Sequence, residues 1–104
     1  MSLLVSRGRA FEAHFAYKEE MAFTAAAYRN RQLAVWAGGL MGLYGSALDA
    51  YVAEVTRAAL NGSAFDPCIK ICKDLAAKAV DVTSDEVKSR FNDLHGESLR
   101  RLAA

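Results

Sequence analysis

Apolar residues recur at helical spacing through nearly the whole chain. From Arg7 to Gly42 no proline intervenes, and Phe11, Phe15, Ala22, Ala26, Leu33, Trp36 and Leu40 follow at steps of three, four or seven. That spacing lays them along one face of a helix. The Ala, Leu, Met, Glu, Arg and Lys around them favour the same conformation. The stripe is broad toward its C-terminal end and thin toward its N-terminal end, where Phe11 and Phe15 are the large members. One long helix is predicted, ending near Met41, where Gly38, Gly39 and Gly42 weaken it. Its back half has a face to pack, with Trp36 among the expected core residues, and its front half has no evident partner. Met1 to Ser6 reads as a disordered tip. Gly8, together with Arg7 and Arg9 at the positive end of the helix dipole, disfavours the first turns.

Three shorter helices are predicted beyond it. Ser46 and Asp49 have the spacing of a capping box, and Leu48, Tyr51, Val52 and Val55 give the second helix an apolar face before the Asn61-Gly62 stop. Asp66-Pro67 pairs an N-cap acid with proline at the first helical position. The third helix then runs toward Val80, with Cys68, Ile71, Cys72, Leu75 and Ala79 inward. Thr83-Ser84-Asp85-Glu86 is a further capping box, flanked by Val82 and Val87 as a hydrophobic staple. The last helix carries Val87, Phe91, Leu94, Ser98 and Leu102 on one stripe. No alternating run of strand length and no repeat appears. The expected fold is all-α, a small four-helix bundle with a long first helix and a mobile N-terminal arm. Residues 1–16 form the arm and residues 17–104 the bundle.

Composition narrows the function more than it defines one. A chain of 104 residues suits a single domain, and 53% hydrophobic content suits a folded one. A net charge of +1 argues against nucleic-acid binding through a strong basic field. The longest apolar stretch, Leu33 to Tyr44, is too short and glycine-rich to span a bilayer. The apolar Met1–Val5 tip precedes its arginines, the reverse of a signal peptide, so a cytoplasmic location is expected. Cys68 and Cys72, four apart, suit a reducing compartment and a buried helix face. With His14 and His95 the only imidazoles, no metal site, catalytic residue or cofactor is expected. Arg29, Asn30 and Arg31 form a compact polar cluster that fits either a solvated face or a phosphate or acidic partner. By residue chemistry alone the chain is a small helical interaction protein.

A resemblance extends that reading. Arg9-Ala10-Phe11-Glu12, Phe15-Ala16, Glu19-Glu20, Phe23, Ala25, Ala27, Arg29-Asn30, Leu33, Trp36-Ala37 and Met41-Gly42-Leu43 keep, without a gap, a pattern of one family. The stretch resembles the N-terminal half of the zeta-type inhibitor subunit of alphaproteobacterial F-type ATP synthases. Ala50-Tyr51, Glu54-Val55, Val82 and Ser84-Asp85 are similar to later parts of the same pattern. The chain departs from it at His14 (Lys in the pattern), Lys18 (Asp), Tyr28 (Arg), Gly38 (Ala) and Gly39 (Glu).

The resemblance implies a four-helix, non-enzymatic regulatory subunit, a monomer when free. It would bind the catalytic head of the synthase and block ATP hydrolysis with its N-terminal segment. Recruitment to the inner face of the membrane would follow from that partner. Phe11 and Phe15 would be the apolar anchors, with Arg7, Arg9, Glu12, Glu19 and Glu20 supplying charge complementarity. Two alternatives stand beside this. One is a bundle that binds adenine nucleotide near Arg29 and Arg31. The other is a divergent paralogue without inhibitory activity.

Overall fold

The computed structural model describes residues 3–62 and 65–103, with side chains at 18–62 and 65–102. Four helices follow in order: α1 (Leu3–Leu40), α2 (Gly45–Leu60), α3 (Pro67–Ala77) and α4 (Ser84–Ala103). No strand occurs among the described residues. The predicted all-α bundle with a long first helix is the observed fold. α1 begins at Leu3, so helix replaces the tip expected as far as Ser6. The apolar Leu3–Val5 run has nothing in it to break a helix. The expected boundary between residues 16 and 17 falls inside α1, and the side chains of the arm lie outside the described residues.

α1 packs against all three other helices, most extensively against α2 and α4. Its buried arc is Ala25, Asn30, Leu33, Ala34 and Ala37. This is the expected helical face rotated toward small residues. Ala22 and Leu40, expected inward, are exposed, and Trp36 is half-buried at the margin, where Arg90 stacks on its ring at 5.3 Å. The reason is the pair of neighbours. Two helices approach α1 closely from different sides, so the contact line favours alanine, and bulky side chains are displaced to its rim. Gly38 carries this to the limit, because a Cβ there would come within 2.5 Å of Leu48 Cδ1. Around α1, Val55 of α2, Ile71 and Leu75 of α3 and Val87 of α4 are fully buried. Each such side chain contributes roughly 1.5–3 kcal/mol by area.

The helix ends are chemically explicit. At the end of α1, Leu43 N–H donates to Gly38 O and Gly42 N–H to Gly39 O, with Gly42 at φ +81°. This is a Schellman cap with glycine at its left-handed position. The tight exit starts α2 at Gly45, after an extended Tyr44 without a side-chain cap bond, so the Ser46 capping box expected from the sequence is not used. At α3 the Asp66 carboxylate accepts from Cys68 N–H at 2.9 Å, as expected. α3 ends at Ala77, short of the expected Val80, in the same kind of cap. Val80 N–H donates to Leu75 O, Ala79 N–H to Ala76 O, and Ala79 takes φ +56°. Ala79 is therefore exposed instead of inward, and Val80 is the residue folded back on the core. At α4, Glu86 N–H donates to Thr83 Oγ1 at 3.1 Å, the main bond of the expected box.

α4 runs antiparallel to α1, from Arg90 over Trp36 to Leu102 beside Glu20, Met21 and Thr24. α2 also runs antiparallel, from Leu48 near Gly38 to Leu60 near Phe23. Both end opposite residues 20–24. The molecule measures 64 × 26 × 23 Å, and at 1.5 Å per residue α1 alone accounts for about 57 Å against about 30 Å for α4.

α2 and α3 are tied by one polar network. Tyr51 Oη donates to Asp74 Oδ2 at 2.8 Å, and Lys70 Nζ lies 3.1 Å from Asp74 and 3.4 Å from Glu54. Burial, then the hydrogen bond and charge of Asp74 and the charge of Glu54, push the Tyr51 phenol well above its ordinary range. Burial disfavours the Lys70 cation, but Asp74 and Glu54 outweigh it and raise its pKa.

Two predictions follow from these caps and this network. A left-handed L-residue costs about 1–2 kcal/mol, less about 0.5–1 for glycine's unfolded-state entropy, so Ala79→Gly should stabilise and Gly42→Ala destabilise, each by roughly 0.5–1 kcal/mol. Urea midpoints shifting in any other sense would contradict the cap assignment. Tyr51 and Lys70 both hold their protons more tightly folded than unfolded, so stability is full below about pH 10 and falls as pH rises beyond it. Urea unfolding between pH 8 and 11 should record that fall, and Tyr51→Phe should blunt it.

Candidate functional site

The expected partner-binding residues divide at residue 18. Arg7, Arg9, Phe11, Glu12 and Phe15 stand on the α1 backbone, and their side chains lie outside the described residues, as does that of His14. Glu19 and Glu20 are exposed, as is Lys18, and none of the three makes an ion pair among the described residues. Tyr28, where the family pattern has Arg, is half-buried between α1 and α4. Its hydroxyl donates to Glu97 at 3.4 Å and accepts from Arg101 at 3.0 Å, with the Arg101 guanidinium 5.1 Å from its ring.

Arg29 and Asn30 turn inward, while Arg31 is exposed. Two residues on a helix are about 200° apart, so the two arginines face different ways. Arg29 lies over Phe91, with its guanidinium carbon 4.3 Å from the ring centroid. Its Nε donates to Oδ1 of the buried Asn30 at 3.1 Å, and its Nη1 meets His95 Nδ1 at 3.2 Å. A guanidinium only donates, so His95 accepts at Nδ1 and carries its proton on Nε2. No carboxylate pairs with Arg29 among the described residues. Burial accordingly lowers its pKa, an effect that Cys68 partly offsets.

Arg29 is shared by two grooves. One, of about 440 Å³, lies between α1 and the end of α2, walled by Phe23, Ala26, Ala27, Leu60, Phe65 and Pro67. The other, of about 470 Å³, continues over Cys68, Lys88 and Phe91. Arg31 borders a third groove with Val35 and Leu48 and does not join Arg29. Phe23 and Leu60, 63% and 70% exposed, form the rim of the first groove. Residue-by-residue reading did not single them out as a surface. The available signal was Phe23, which stands seven, eleven and fourteen residues before Asn30, Ala34 and Ala37 and so continues the buried face of α1 to the level where α2 ends. Cys68 is buried and Cys72 half-buried, so only one of the two thiols expected inward is fully enclosed.

Among the described residues no group of three or more His, Cys, Asp or Glu is placed to hold a metal, and no helix is long and apolar enough to cross a membrane. What the described surface offers is apolar side chains, grooves and one half-buried cation without a carboxylate partner, the equipment of an all-α protein that binds another molecule. The chain belongs to the family of ATPase inhibitor subunit zeta, whose family model matches residues 1–101. No curated protein and no solved structure matches it. The family is one of inhibitory, regulatory subunits, non-catalytic in role, with an ATP synthase as partner.

Burial, then the nearby Asp66 carboxylate and Cys72, push the Cys68 thiol above its ordinary pKa. In the folded protein at neutral pH, a maleimide should therefore label Cys72 well before Cys68. Equal rates, read by mass spectrometry of the two peptide adducts, would contradict the burial described.

Proposed function

We propose that this protein binds the catalytic head of an F-type ATP synthase and blocks ATP hydrolysis with the N-terminal half of α1. The observation that carries the reading is the mismatch in helix length. α2 and α4 end opposite residues 20–24 of a helix that begins at Leu3. About 17 residues, or roughly 25 Å of helix, therefore extend past the packed part of the molecule. A helix with that reach can enter a crevice between subunits while the bundle stays outside. Buried on a partner, Phe11 and Phe15 would each contribute roughly 1.5–3 kcal/mol by area. Arg7, Arg9, Glu12, Glu19 and Glu20 supply the charge pattern that orients the encounter. Recruitment to the inner face of the membrane follows from the partner.

A second reading places an adenine nucleotide at Arg29. Its support is a guanidinium in a groove, bonded to neutral partners. Arg31 would take no part, because it borders a different groove. Saturable amide shifts around Arg29 on addition of adenine nucleotide would favour this reading over the inhibitor.

Deleting residues 1–16 should leave the thermal midpoint of the bundle nearly unchanged and abolish inhibition of ATP hydrolysis by the cognate synthase. The Phe11→Ala, Phe15→Ala double variant should lose most of it, and Lys18→Asp should strengthen it. Equal inhibition by full-length and truncated protein would refute the arm. A full-length protein that folds and does not inhibit would mark a paralogue that has left the family's function.

A further inference from the structure

Resting on the reading that α1 docks on the synthase head, we infer that the contact continues onto the bundle. The groove between Phe23 and Leu60 takes a segment of the head in which an apolar side chain stands next to a carboxylate. Positions 11, 15, 19, 23 and 27 of α1 are four apart and so form one row of the helix. Positions 15 and 23 differ by only about 80° around the axis. A partner that follows the row from Phe15 meets Glu19 and then Phe23, which is the lip of the groove. There the row is joined by Leu60 from α2. Two large apolar side chains, each more than half exposed, thus stand together at the mouth of an apolar groove, beside the part of α1 that outruns the bundle.

The chemistry of the occupant comes from Arg29. Its guanidinium lies at the groove, held by Asn30, His95 and Phe91, all neutral, and lacks a carboxylate among the described residues. Oδ1 of Asn30 takes Nε and Nδ1 of His95 takes one proton of Nη1; among the described residues the other three donors have no partner, and Nη1 with Nη2 can take a carboxylate by two bonds. Lys88, on the adjoining groove, adds a second positive charge, while Asp66 there adds a negative one. One unneutralised cation among apolar walls suits a single carboxylate beside an apolar side chain better than the several charges of a polyphosphate. The N-terminal half of α1 itself is not the occupant, because α1 is continuous through Phe23 and carries that half away from the groove.

The test is photo-crosslinking with the full-length protein and the purified cognate head. A benzophenone amino acid replaces Leu60 in one sample and Phe15 in another. The expected result is a crosslink to a head subunit from both positions. A crosslink from position 15 alone would overturn the groove and leave the arm standing. A crosslink from position 60 alone would keep the groove and sink the arm, and none from either would sink both. Position 60 crosslinked to a second copy of this chain would also overturn the inference. In parallel, Phe23→Ser and Leu60→Ser, both on exposed side chains, should each raise the concentration for half-inhibition several-fold with the thermal midpoint unchanged. Arg29→Gln should also raise the concentration for half-inhibition several-fold, with some loss of thermal midpoint because its contacts to Phe91 and His95 go too; unchanged inhibition would remove the carboxylate from the occupant. Unchanged inhibition by the two serine variants would count against the groove.

Discussion

Close approach of α2 and α4 to the small-residue arc of α1 is the constraint on which this molecule depends. Ala25, Ala34, Ala37 and Gly38 let two helices come in from different sides, and Leu33 fills the space between them. α3 has less contact with α1 and completes the core through Ile71 and Leu75. Dispersion and burial both grow steeply as such surfaces close, so the small residues of α1 do more for the core than its aromatic ones.

That geometry has a consequence at the rim. Side chains too large for the contact line are moved to its edges, where they are held by stacking. Arg90 covers Trp36, Arg101 covers Tyr28, and Arg29 covers Phe91. Arg29 differs from the other two because it is drawn far enough inward to lose solvent while its hydrogen-bond partners are neutral. A cation in that position has bonds left to make, which ties the packing of α1 and α4 to the chemistry of the groove beside them.

Along α1, stability and reach are separated. The caps at Gly42 and Ala79, the Tyr51–Asp74–Lys70 network and the buried core all belong to residues 25–98. One helix thereby carries the bundle on its C-terminal half, and on the proposed reading its N-terminal half meets the partner.

Much of this was legible in the sequence because it is local. Four helices, the Asp66-Pro67 and Thr83–Glu86 starts, the stop near Met41 and the stripes of α3 and α4 all follow from spacing and caps, which depend on neighbours a few residues apart. The family pattern is likewise one contiguous stretch, Arg9 to Leu43, nearly all of it in α1. Tertiary structure decided which face of α1 is buried, since that depends on where two distant helices land. It left Trp36 at the margin and made Gly38 a point of close approach. It also ended α3 early, because Val80 gains more by folding back onto Leu75 than by extending the helix. And it separated Arg29 from Arg31 while bringing Phe23, Leu60 and Arg29 together, a juxtaposition across two helices and 37 residues of chain that no periodicity in either helix encodes.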